Sequence, residues 1–558
     1  SYSSTSADDP EYVASSRDNS VLDSQDEGEN PPTKLLRDRS KIRKPDYFGF
    51  YSMMEVTNGD RVVPTSYEEA VSCPDQIHWK NAMDDELNSL KQTDTWTLTN
   101  RPVNAKVLDN KWVFKLKNSA DREKVKYKAR LVIRGFRQEP GIDFNETFSP
   151  VARYETIRVA LAVAAKERLC IRQFDIKTAF LYGTLEDGEE IYMQQPTGYE
   201  NGTDQVCKLK KSLYGLKQAS RCWNARFSDF MVKNGLCESE SDPCLFVRAN
   251  ERQKLFVIIY VDDGLVFATK PRDANNFLSA LQREFMVSVE NKVRSFLGID
   301  FTFLNNGSIF INQSTYIKKI LQRFHMQECK AVSTPIDIGW NKCDKLNKSA
   351  ENVPYREAVG NLMFLQCATR PDIAFAINVL SRCLDKPSLA HWSLVKRVFR
   401  YLQGTQNYGI LFTGSGNFEI FSDADYAGDL ETRKSTSGIV CKFGGAPVIW
   451  KSKKQQCVAL STCEAEFVSA ASAAKEGIWL SRVLSDLGID TGVLKLFIDN
   501  QSAIKIIKNN ELHDRSKHID IKYRFIRDMY KKRKIEVCHI CSSSQLADVF
   551  TKALSKVR

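Results

Sequence analysis

The apolar positions of the chain change period several times, and each change predicts an element. In "SYEEAVSCPDQIHWKNAMDDELNSL", Trp79, Met83, Leu87 and Leu90 recur at helical spacing. Next, "KWVFKLKNSADREKVKYKARLVIRGFRQ" alternates basic and apolar residues, as a two-stranded ribbon with one wet face would. "ETIRVALAVAAKERL" returns to a helical period, with Ile157, Ala160, Leu161 and Ala164 on one side. It runs into "CIRQFDIKTAFLYG", where an apolar strand ends at Asp175. "FVIIY" and "LVFA" flank Asp262, Asp263 and Gly264, and two β-rich runs around an Asp-Gly predict a hairpin. From about Asn312 to Gly409 helical patterns dominate, as in "STYIKKILQRF" and "AHWSLVKRVFRYLQGT". From Phe418 the pattern turns to strands: "FEIFSDADYAG", "SGIVCKFGG" and "PVIWKSKKQ". A long helix from Glu464 to Leu487 follows, then the strand "LKLFIDN", a helix, the strand "KIEVCHICS" and a last helix around "QLADVFTKAL".

Length and composition narrow the class. A chain of 558 residues is too long for one core, so three or four domains are expected. With 42% hydrophobic and 27% charged residues the composition is that of soluble globular protein. The apolar run Leu255 to Val261 is too short to span a bilayer, and "SYSSTSADDP" lacks the regions of a signal peptide. An intracellular protein is expected. Fifteen cysteines without framework spacing suit reduced thiols. Cys538 and Cys541 are expected on a strand, on opposite faces, where they would not share a metal.

The net charge of +11 is unevenly spread. Residues 1–30 hold eight acids against Arg17, a net of −7, which leaves +18 on the rest. From Lys106 to Arg137 alone there are eleven Lys or Arg against three acids. A basic body of this size suggests a polyanionic partner, most simply nucleic acid. Residues 1–64, poor in aromatics, read as a disordered tail or linker.

Asp262 and Asp263 raise a physical question, because two adjacent carboxylates in an apolar segment are costly to bury. A solvated turn, a buried salt bridge and a metal site are the candidates. Asp175, also at the end of an apolar strand, is a third carboxylate. Acids at neighbouring strand ends can hold two Mg²⁺ ions for phosphoryl transfer, but spacing alone leaves turn and metal site both open.

The motifs are more specific than the spacing. "YVDD" at Tyr260 to Asp263 resembles the catalytic signature of reverse transcriptases. The stretches "KYKARLVIRGFRQEPGIDFNETFSPVARYETIR", "FDIKTAFLYG", "SLYGLKQASRCW", "YREAVGNLMFLQCATRPDIAFA", "FSDADYAGD", "STCEAEF" and "KHIDIKYRFIRD" are similar, in order and spacing, to copia-type long-terminal-repeat retrotransposon polyproteins. The similarity runs from about Tyr67 to Leu554. It implies a multidomain α+β fold: a right-hand polymerase with fingers and palm over 65–311, a helical thumb or connection over 312–415, and a ribonuclease H-like α/β domain over 416–558.

The resemblance also implies roles. Asp175 and Asp262 would chelate both metals of the palm, with Asp263 in support. Lys128 and Arg130 match the basic fingers segment that approaches the incoming triphosphate. Phe180 matches the aromatic that collides with a ribose 2′-hydroxyl. Lys217 and Gln218 belong to the loop that places template and nucleotide. Ser220 and Gly264 depart from the family, which prefers Pro and a bulkier apolar residue there.

Asp423, Glu464, Asp499 and Asp548 match the ribonuclease H tetrad. Glu466 is the rival for Glu464, turned away from it by about 200° on a helix. His518 and His539 are accessory candidates, more simply structural. The implied cofactors are two Mg²⁺ ions per site, with Mn²⁺ as a substitute. The implied partners are an RNA template, a DNA primer, RNA–DNA hybrid, dNTPs, a second copy of the chain, and the Gag and integrase of the same element. The implied location is a cytoplasmic virus-like particle with access to the nucleus, and no membrane is implied. The alternative is an inactive relic kept for RNA binding or packaging.

Overall fold

The computed structural model describes residues 63–103, 105–118, 125–186, 189–248, 253–340, 349–350, 352–509 and 517–556. The expected tail over 1–64 therefore falls almost wholly outside the described residues. The helix α1 (Gln76–Gln92) buries Trp79, Met83, Leu87 and Leu90, the positions its spacing selects. It packs on the basic ribbon, where β1 (Asn110–Asn118) pairs antiparallel with β2 (Val125–Ile133).

The helix α2 (Tyr154–Glu167) departs from expectation. Every residue from Thr156 to Ala165 is buried, not one face of the helix. Such a helix needs partners on all sides. They include a β-strand from the far end of the chain, Ala446–Lys454. After α2 comes β3 (Cys170–Ile176), then α3 (Ala219–Lys233), β4 (Leu245–Val247), β5 (Leu255–Tyr260), β6 (Asp263–Ala268) and β7 (Val287–Glu290). These strands form an antiparallel sheet in the order β7-β3-β6-β5-β4, extended at the β4 edge by Cys237–Glu238.

The helical region is an excursion from a small sheet. The strand Ile309–Asn312 pairs antiparallel with Gly409–Phe412, and Asn312 faces Gly409 where the helices leave and return. Between them lie α4 (Ser314–Arg323), α5 (Tyr355–Ala368), α6 (Ala374–Ser381) and α7 (Leu389–Gly404), with a core of their own.

The C-terminal strands follow the expected order. β8 (Glu419–Ala424), β9 (Thr436–Phe443) and β10 (Ala446–Lys454) form an antiparallel meander. After the long helix α8 (Thr462–Asp486), β11 (Leu494–Ile498) and β12 (Ile535–His539) add in parallel, giving the order β10-β9-β8-β11-β12. The expected last helix is a 3₁₀ segment, Leu546–Phe550. Cys538 lies on β12 and Cys541 beyond its end. The apolar core of the β3–β7 sheet continues without a break into that of the C-terminal sheet. Among the described residues no helix is long and apolar enough to cross a membrane.

Candidate active sites

The β5–β6 hairpin pairs Tyr260 with Asp263, so the turn is Val261-Asp262 and not Asp263-Gly264. Val261 adopts φ 59°, a left-handed conformation that strains a β-branched side chain. The indole Nε1 of Trp223, on α3, donates to the Val261 carbonyl at 2.6 Å and holds the turn. Gly264 lies inside β6, where a Cβ would meet the Phe174 ring at 2.1 Å. Close packing, not turn geometry, requires the glycine.

The turn brings the first three acids together. Asp263 stands directly across the sheet from Asp175. Burial pushes the Asp262 carboxyl up from its ordinary range and the Asp175 charge adds to this, while Arg130 and Lys128 oppose it. The basic ribbon therefore feels the acid turn, as a site for an anionic ligand would require.

An aromatic pair completes this region. The Arg130 guanidinium lies 4.9 Å over the ring of Tyr214, and Phe180 meets the same ring edge-on at 5.1 Å. Burial raises the Tyr214 phenol to about 12, with Asp262 adding and Arg130 opposing. Sequence reasoning missed Tyr214, although it stands in the quoted "SLYGLKQ". Gln218 is 1% exposed and sits in an amide network. Its Nε2 donates to the Asp143 carbonyl at 2.9 Å and to Glu189 at 3.1 Å, and its Oε1 accepts from Gln138 at 3.0 Å. Lys217 Nζ donates to the Gln138 carbonyl at 3.0 Å. Both side chains brace the loop; Gln218 is buried in it, while Lys217 is exposed.

The second cluster is tighter. Asp423 at the end of β8, Asp499 just past β11 and Asp548 in the 3₁₀ segment each bring one oxygen within 4.8 Å of the others. Asp175, Asp262 and Asp263 do not gather this closely. Thr551 donates its hydroxyl to Asp423, and Ser542 donates to Asp499 at 2.8 Å. Lys552 Nζ lies 2.8 Å from Asp548 and 3.9 Å from Asp423. Burial pushes Asp423 up to about 6, with Asp548 adding and Thr551 and Lys552 opposing.

A family model described as reverse transcriptase (RNA-dependent DNA polymerase) matches residues 93–338. The retrovirus-related Pol polyprotein from transposon TNT 1-94 of Nicotiana tabacum is 40% identical over 505 residues, covering 88% of this chain and 38% of that protein. A Ty5-1 transposon protein of Saccharomyces cerevisiae is 30% identical over 308 residues, which are 54% of this chain and 99% of its own length. The chain belongs to the copia-type retrotransposon Pol family. It spans about a third of the plant Pol polyproteins it matches, 38% in the tobacco case. Among solved structures, the foamy viral protease-reverse transcriptase in complex with dsDNA aligns over 83% of each chain at 12% identity. The TM-score is 0.46.

Within the copia-type chain, the expectation for Glu464 is corrected. Its backbone N–H donates to the Ser461 hydroxyl at 3.2 Å and its carboxylate accepts from Leu460 N–H at 2.8 Å, so it caps the start of α8. Glu466 is the glutamate that turns inward. It is 6% exposed, and its Oε2 has no hydrogen-bond partner. Burial first, then Asp423 and Asp499, push its carboxyl up to about 10. A signal was present in the sequence: Ser461-x-x-Glu464 has the form of a helix-capping box, which assigns Glu464 to the cap. His539 is exposed, and the His518 side chain lies outside the described residues.

The donor set fits a divalent metal. Hard carboxylate oxygens suit Mg²⁺ or Mn²⁺, and a buried glutamate oxygen without a donor is satisfied by a cation.

Proposed function

We propose that this reverse transcriptase region is a working RNA-directed DNA polymerase fused to a ribonuclease H. It copies the element's RNA into DNA from a DNA primer and dNTPs, then degrades the RNA strand of the hybrid. The observation that carries the reading is the pair of separate acid groups, one at the ends of β3 and β6 and one gathered from β8, the end of β11 and the 3₁₀ segment.

Two divalent cations per site, Mg²⁺ or Mn²⁺, would supply charge stabilisation to the attacking and leaving oxygens of phosphoryl transfer. Asp175 and Asp262 hold the first pair, and Asp263 buttresses them from β6. Arg130 and Lys128 neutralise the triphosphate, and Tyr214 keeps Arg130 in place by stacking. Phe180, backed by Tyr214, narrows the space where a 2′-hydroxyl would sit. In the second site Asp423, Glu466, Asp499 and Asp548 hold the cations, and the Thr551 hydroxyl orients Asp423. The setting that suits these activities is a cytoplasmic virus-like particle with the element's Gag and integrase.

The test is primer extension on poly(rA)/oligo(dT) with Mg²⁺, alongside cleavage of a labelled RNA–DNA hybrid. The expected result is both activities in one preparation. A soluble chain that binds the hybrid but does neither would be the packaging relic instead.

A further inference from the structure

Arg158 lies in the middle of α2 and is among the largest fully buried side chains of the protein. Its Nε donates to the Val448 carbonyl, on β10 of the C-terminal sheet, at 2.8 Å. Its Nη1 donates to the carbonyls of Cys367 and Ala368, at the end of α5, at 2.7 and 3.1 Å. The guanidinium stacks 3.8 Å from the ring centre of Trp450, also on β10. Glu155 is its ion partner, at 3.8 Å. Burial lowers its pKa to about 10, so the charge persists at neutral pH.

None of its contacts belongs to either acid cluster. What it joins is three stretches of chain remote in sequence: the palm helix, the helical excursion and the ribonuclease H-like sheet. A charged fork whose donors are spent on main-chain carbonyls resists sliding, because any slip leaves buried carbonyls and a buried charge unpaired. Elsewhere in the same interface, Ser239 donates to Asp486 at 2.6 Å and the Trp479 indole to the Ser241 carbonyl at 3.0 Å. The continuous apolar core fills the space between. Nothing in this arrangement resembles two domains on a loose tether.

We propose that Arg158 is a positioning residue that sets the register between the two active sites. It locks the ribonuclease H-like sheet to the palm, so the RNA strand is cut at a fixed distance from the primer end held beside Asp262. This rests on the two-activity reading above.

The experiment uses the full chain, Mg²⁺ and a hybrid whose primer end is fixed by withholding dNTPs, with the RNA labelled at its 5′ end. The length of each product gives the distance from primer end to cut. In the parent one distance dominates. Arg158→Met, which keeps a long apolar stem and loses every donor, spreads the cuts over several nucleotides. Its extension rate and total cleavage stay within about threefold of the parent, a split that general destabilisation would not give. Arg158→Lys, one ammonium serving three carbonyls, falls between, and carries the comparison if the methionine variant precipitates. Unchanged cut positions in either soluble variant would overturn the proposal. So would a parent with both activities and a diffuse cut pattern, which needs no variant to observe. A parent with neither activity would instead overturn the two-activity reading, and this inference with it.

Discussion

In the palm, Asp262 and Asp263 stand at a strained turn with Asp175 across the sheet, and Arg130 and Lys128 act on Asp262. In the C-terminal sheet, Asp423, Glu466 and Asp548 are buried and Asp499 is partly so, with Lys552 and the Thr551 and Ser542 hydroxyls set against their charge. Like charges are gathered at both places. The first site offsets them with the protein's own cations and access to water. Burial pushes carboxyls up at both sites, and further at the second, where Asp423 reaches about 6 and Glu466 about 10. One chain thus holds one acid site set against a basic ribbon and another set deeper in the core.

The largest expected break in this comparison is Asp262→Asn. Primer extension should fall at least about a thousandfold, since the clamp on phosphoryl oxygens is worth several kcal/mol. Hybrid cleavage, measured on the same preparation, should stay near the parental rate. Equal loss of both would mean the sites are not separate.

Glu466→Gln should lower hybrid cleavage at least about a hundredfold while extension continues. Glu464→Gln should leave cleavage within about threefold and cost about 1 kcal/mol of stability, as a weakened cap does. The reverse ranking would return Glu464 to the metal site.

Asp429 is a half-buried acid with its own cations. Arg382, after α6, and Lys454, on β10, each approach it at 3.0 Å. Burial pushes the carboxyl up, but the Thr432 N–H and the Lys454 ammonium outweigh this and hold it below the ordinary range. A depressed carboxyl stabilises the fold above its unfolded value, near 4, and loses that contribution as pH falls below it. Asp429→Asn should therefore cost about 2 kcal/mol at pH 7 in urea titration. The gap from the parent should narrow below about pH 4. A gap that widens in acid would reverse the assigned sign.

Phe180→Val should raise the ratio of ribonucleotide to deoxynucleotide incorporation by about tenfold, because only a steric clash makes an apolar pocket reject a hydroxyl strongly. Hybrid cleavage should not change. An unchanged ratio would make Phe180 merely a packing partner of Tyr214.

Much of this was legible in the chain. The β8–β12 order and the long helix follow from clean changes of period, and Asp175, Asp423 and Asp499 stand at the ends of apolar runs. What escaped depended on partners far away in sequence. The periodicity of α2 shows one face, yet its other faces are covered in part by β10, so nothing in the pattern marks Arg158 as buried. The Asp-Gly rule put the hairpin turn two residues too late, because Gly264 is set by the Phe174 ring and not by the turn. Gln218 could be placed in its loop, but not in the buried amide network with Gln138 and Asp143. The choice between Glu464 and Glu466 needed the cap to be recognised before the site.

The contact between Gly264 and Phe174 also bears on how this palm can change over time. The ring of one residue occupies the volume that a side chain at the other would need. A larger residue at 264 needs a smaller one at 174, and a smaller one at 174 alone leaves a cavity beside Gly264. The two positions should therefore drift as a linked pair, with Asp175 and Asp263 beside them unchanged. A chain that carries Gly264 keeps its packing best with the phenylalanine that fills the space.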